Sequence, residues 1–185
     1  MTDQKTERVM AAARQVFLRY GFTRTTMSDI AEAAKMSRPA LYLVFPSKDD
    51  IFSAVIERSF AEMLAAIREG IGRFQSPYQK LTFAFDIWCV RPFELVQVSP
   101  EARDLLDNGH EFARAIKARA SAEFETIVAK AVEPVARARP SLKLSATEFA
   151  EVLIAALAGF KQTAPDAARL RLLIAGLLTV ACDSR

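Results

Sequence analysis

The sequence predicts an all-α fold: a three-helix N-terminal domain with a helix-turn-helix over residues 1–48, then a larger helical C-terminal domain over residues 49–185. Three observations predict it. Helix-start signals crowd the stretch from Thr26 to Asp50, apolar residues recur at helical spacing through the remainder, and no alternating polar and apolar run is long enough for a sheet. A chain of 185 residues can bury one sizeable core, or a small domain fused to a larger one, and with 51% apolar residues it is not disordered.

Val9, Met10, Ala13, Val16, Phe17 and Tyr20 fall at helical spacing and give a first helix of about sixteen residues, ended by Gly21. Thr26 followed by Asp29 opens a second helix, Ser37 with Pro39 a third, and Ser47 followed by Asp50 a fourth. Each hydroxyl can accept from an orphan amide, and an acid three positions on approximates a capping box. Pro46 limits the third helix to about two turns. Two short helices joined by a tight turn describe a helix-turn-helix, whose second helix enters a major groove. Either Ser37 or Arg38 can cap that second helix, because a residue before proline avoids helical geometry.

Beyond Ser47 the stripe Ile51, Val55, Ile56, Phe60, Met63, Leu64, Ile67 and Ile71 makes one long helix, and Gly72 to Pro77 is a break. Ser76-Pro77 restarts a helix that is apolar on two faces from Leu81 to Val90, and Arg91-Pro92 ends it. Val98-Ser99-Pro100 and Asn108-Gly109 punctuate one or two short helices, and His110 to Val132 is a long one. Pro134 to Leu144 is expected to be a polar loop. Ser145 with Glu148 is a full capping box for a helix through Phe160, and Asp166 to about Ala181 forms the last helix.

Charge is unevenly placed. Residues 1–48 hold eight basic and four acidic side chains, whereas residues 49–185 hold 17 and 18. The positive excess therefore lies with the helix-turn-helix, as expected of a segment that faces phosphate. Cys89 and Cys182 give neither a disulfide framework nor zinc spacing, and read as buried thiols rather than a redox sensor. Met1 to Lys5 have no apolar core for a signal peptide. The apolar runs Val152 to Phe160 and Leu172 to Cys182 are shorter than the ~20 residues that cross a bilayer, so a cytoplasmic protein with no membrane partner is expected. One histidine, no metal-ligand cluster, no glycine-rich phosphate loop and no nucleophile motif argue against an enzyme, a cofactor or a metal.

Gly21-Phe22, Thr25-Thr26-Met27, Asp29-Ile30-Ala31, Ala33-Ala34, Ser37, Leu41-Tyr42, Phe45 and Ser47-Lys48 stand in fixed register. On these residues the stretch resembles the DNA-binding domain of the tetracycline-repressor (TetR) family of bacterial transcriptional regulators. The likeness covers about fifty of the 185 residues; beyond residue 60 it extends only to helicity and length. It implies a homodimeric repressor that binds a palindromic double-stranded DNA operator and is released by a small apolar or aromatic effector. The alternative is a helix-turn-helix regulator without such an effector, controlled by a protein partner or by abundance.

The resemblance assigns DNA contact to Thr26, Ser28, Ser37, Arg38, Tyr42 and Lys48. Hydroxyls and amides at helix starts suit a phosphate oxygen, and Arg38 can fork onto guanine O6 and N7. Family members often carry a basic or aromatic pair just after the tyrosine, where Leu43-Val44 stand here. Either a backbone contact is missing or apolar contact with a thymine methyl replaces it. In the second domain the expected effector lining is Phe60, Met63, Leu64, Phe83, Phe85, Trp88, Phe112 and Ile116, with Asp86 and His110 as nearby polar groups. Plain core is the alternative for that stripe.

The last two helices carry more apolar surface than one core can use. Val152, Ala155, Ala158 and Gly159 on one, with Leu173, Ala175, Gly176, Leu177 and Val180 on the other, are expected to form a two-fold four-helix interface. A hairpin buried within one subunit is the competing reading.

Overall fold

The computed structural model describes the backbone of residues 2–99, 101 and 111–182, and every regular element among them is helical. In order these are α1 (Thr2–Arg24), α2 (Met27–Ala33), α3 (Arg38–Tyr42), α4 (Lys48–Ile71), α5 (Pro77–Phe85), a π-helical turn (Asp86–Val90) and α6 (Arg91–Val98). There follow α7 (Glu111–Ala138), a 3₁₀ turn (Pro140–Leu142), α8 (Ala146–Thr163) and α9 (Ala167–Cys182). The chain divides into two compact units, residues 1–61 with 95–118, and residues 62–94 with 119–185. Helices α4, α6 and α7 each have residues in both.

The first unit is built on an aromatic cluster. Phe17, Phe22 and Phe52 bring α1 and α4 together, with ring centroids 5.9 Å (17–22), 5.1 Å (17–52) and 4.5 Å (22–52) apart. Val9, Ala13, Ile30, Leu41 and Ile51 complete a dry interior, each large side chain contributing about 1.5–3 kcal/mol on burial. The expected end of the first helix at Gly21 is a break, with φ 75° and ψ 163°, after which the chain coils on to Arg24. Only glycine adopts that conformation without strain. Thr25, 1% exposed, is satisfied there because its hydroxyl donates to the Gly21 carbonyl at 2.7 Å.

In the second unit the core is Ile67, Leu81, Phe85, Phe124, Val128, Leu153, Leu170 and Leu178. Phe83 fits a notch at Gly70, where a β-carbon would overlap its ring. Two expected boundaries are wrong. Arg91-Pro92 does not end its helix: the π-helical turn before it, with the Arg91 N–H donating to the Asp86 carbonyl, widens the coil and carries it into Pro92. Pro134 does not begin a loop: it lies inside α7 on an exposed face with Lys130, whose freed carbonyl water can satisfy. Pro100, Asn108, Gly109 and His110 lie outside the described residues. Among the described residues no helix is long and apolar enough to cross a membrane.

Candidate nucleic-acid interface

Three hydroxyl caps shape the helix-turn-helix. The Thr26 backbone N–H donates to the Asp29 carboxylate at 2.8 Å, and the Asp29 N–H donates back to the Thr26 hydroxyl at 3.3 Å. That hydroxyl in turn donates to the same carboxylate at 2.7 Å. Hydrogen bonds from the Thr26 hydroxyl and then its backbone hold the Asp29 carboxyl below the ordinary carboxylate range. Ser37, not Arg38, caps α3: its ψ is 151° and its hydroxyl accepts from Ala40 N–H at 3.3 Å. Ser47 accepts from Asp50 N–H at 3.1 Å to open α4.

The turn between α2 and α3 closes without glycine. Lys35 is left-handed, φ 52°, and bonds from Lys35 N–H to Glu32 O (3.0 Å) and from Met36 N–H to Ala31 O (2.9 Å) form a Schellman pair. Leu41 and Phe45 then bury one side of α3, leaving Arg38, Pro39, Tyr42 and Leu43 on the exposed side. Thr26 and Ser37 are also exposed, and Ser28 is half-buried at the start of α2.

Lys48 has a role the sequence did not disclose. Its ammonium donates to the Phe22 carbonyl at 2.8 Å and the Thr25 carbonyl at 2.9 Å, and sits 4.2 Å from the Phe22 ring centroid. It ties the start of α4 to the end of α1, which fixes where the motif begins.

Residues 9–55 match the family model described as bacterial regulatory proteins, tetR family. Residues 9–55 thus form a domain of the tetR family. That family is one of bacterial regulatory proteins. Over 62 residues the chain is 39% identical to the uncharacterized HTH-type transcriptional regulator YfiR of Bacillus subtilis, covering 34% of this chain and 30% of that one. Over 84 residues it is 29% identical to the HTH-type transcriptional activator FasR of Mycolicibacterium smegmatis, covering 45% and 38%. The chain thus spans well under half the length of these curated relatives. A tetR transcription regulator from Haloarcula marismortui shares the fold over 98% of this chain and 97% of its own, with a TM-score of 0.75 at 16% identity.

The second unit has a cavity of about 410 Å³ beside α5, the π-helical turn and α9. Phe74, Tyr78, Phe83, Val90, Ile174 and Ala175 supply its apolar walls. Gln79, Thr82, Asp86 and Arg171 supply its polar groups. Arg171 donates to Glu94 at 2.7 Å and to Asp86 at 3.5 Å, and Arg91 donates to Asp86 at 2.9 Å. Among the described residues of the expected effector set, only Phe83 lines this cavity. Phe60, Leu64 and Phe85 are buried, while Met63, Trp88 and Ile116 are half-buried. The Phe112 side chain lies outside the described residues. Trp88 stacks on Phe124, 4.3 Å and 7° apart. Cys89 is buried, and desolvation pushes its thiol up to about 11, so it is unreactive at neutral pH.

None of the nine expected interface positions on α8 and α9 is buried in the single chain. Val152, Ala155, Ala158, Gly159, Gly176 and Val180 are exposed, and Leu173, Ala175 and Leu177 half-buried. A β-carbon at Gly159 or Gly176 would meet nothing within 4 Å.

Proposed function

We propose that the chain is a homodimeric transcriptional regulator, with residues 1–48 binding DNA and residues 49–185 binding an effector and dimerising. In this reading α3 reads each half of a palindromic operator, and a small apolar or aromatic effector releases it. The observation that carries it is the exposed side of α3, with Arg38 and Tyr42, on the basic segment of a tetR-family domain. Control by occupancy of the operator, hence repression, is the simplest mode; a relative named as an activator makes the sign of control a point to measure.

Dimerisation is supported by the two glycines of α8 and α9. Glycine in a helix interior costs about 1 kcal/mol relative to alanine, and nothing inside the single chain requires it at Gly159 or Gly176. Close approach of a second copy would account for both. Two such copies would set their α3 helices to match half-sites about 34–36 Å apart. The cavity has the size and apolar walls of small-molecule sites, and α4, continuous from one unit into the other, is the covalent route by which its occupancy reaches the motif.

Operator DNA selected from random duplexes tests the reading. Arg38→Ala and Tyr42→Ala should weaken binding by about 1–3 kcal/mol if they contact bases, with helicity unchanged. Undiminished binding by both variants would remove α3 from the groove. Apolar and aromatic compounds that release the operator should also change Trp88 fluorescence, and Phe83→Ala should shift their affinity more than that for DNA.

A further inference from the structure

We infer that Leu43 reads a thymine through its C5-methyl group, making it a specificity-determining residue of α3. This rests on the reading of α3 as the groove helix. Leu43 closes that helix: its N–H donates to the Pro39 carbonyl at 3.2 Å, and the N–H groups of Val44 and Phe45 both donate to Leu41 O at 2.9 Å. The backbone is fixed, yet the side chain is 89% exposed, the highest value for a large apolar residue among those described. Next to it Tyr42 is 45% exposed, and Leu41 and Phe45 carry the packing instead.

Arg38 and Tyr42 stand four residues apart, as do Pro39 and Leu43, so the exposed side of α3 presents a polar row beside an apolar one. An isobutyl group neither donates nor accepts a hydrogen bond, so it gains nothing from a phosphate oxygen or from the polar edges of guanine, adenine or cytosine. The thymine C5-methyl is the apolar feature that base edges offer in a major groove. Contact between the two takes both out of water, which is the one way this leucine can favour a sequence.

The test uses the full chain and the operator it selects, with each symmetric pair of thymines replaced in turn by deoxyuridine. Deoxyuridine lacks only the methyl group. One pair should weaken wild-type binding about fourfold per half-site, the value of one buried methyl-sized group. Leu43→Ala should bind the thymine and uracil duplexes equally, and Leu43→Met should restore the discrimination. If no pair discriminates for wild type, or Leu43→Ala discriminates as well as wild type, the assignment is overturned while α3 stays in the groove. An operator without thymine in either half-site overturns it in the same way. If no operator is selected at all, the groove reading falls and this inference falls with it.

Discussion

The helix-turn-helix and the rim of the cavity hold their polar groups in different ways. Around α2, α3 and α4 the caps join residues three apart, Thr26 with Asp29, Ser37 with Ala40 and Ser47 with Asp50, and Lys48 adds a longer tie to the Phe22 and Thr25 carbonyls. In the second unit Arg171 reaches Glu94 across 77 residues and Asp86 across 85, and Arg68 reaches Glu123 across 55. Local caps form as each helix forms and depend on nothing distant. The long-range pairs are solvent-exposed, and such pairs contribute little individually. A motif held by caps keeps its shape, whereas a rim held by exchangeable ion pairs is free to re-pair.

Four substitutions break or sharpen that comparison, taken from the largest expected effect. Leu177→Asp places an unpaired charge where the second copy is proposed to pack, a cost of about 3–5 kcal/mol; sedimentation should show monomers. A variant that stays dimeric would move the interface elsewhere. Gly70→Ala should destabilise the second unit by about 1–3 kcal/mol through the Phe83 overlap, read as a lower denaturation midpoint. Thr26→Ala should cost about 1 kcal/mol as a lost cap. Arg171→Ala should cost less than about 1 kcal/mol while altering effector affinity. If Arg171→Ala proves more destabilising than Thr26→Ala, the contrast between the two regions is reversed.

That contrast also explains what could be read in advance. Thr26, Ser37, Ser47, Ser76 and Ser145 announce their helices because donor and acceptor lie within four residues. Whether Ser37 or Arg38 caps α3 needed the backbone, since both were compatible with Pro39. Pro92 and Pro134 were misread as helix ends because a proline's cost depends on the fate of the carbonyl four residues back. A π-helical turn before one and an exposed face around the other relieve it. Lys35 carried no signal for a left-handed turn, and Lys48, assigned to DNA contact by the resemblance, has two carbonyls against it that only the fold brings there. Arg171 belonged to a helix read only for its apolar stripe, so its place at the cavity emerged from tertiary packing alone.

The central claim is that two copies read one site by two-fold symmetry, and operator geometry tests it most directly. Binding should be measured on the selected operator and on the same operator with five base pairs inserted at its centre, which turns one half-site to the opposite face of the duplex. The account predicts two chains per unmodified operator and loss of tight binding after the insertion. One chain per site, with affinity indifferent to the insertion, would contradict it.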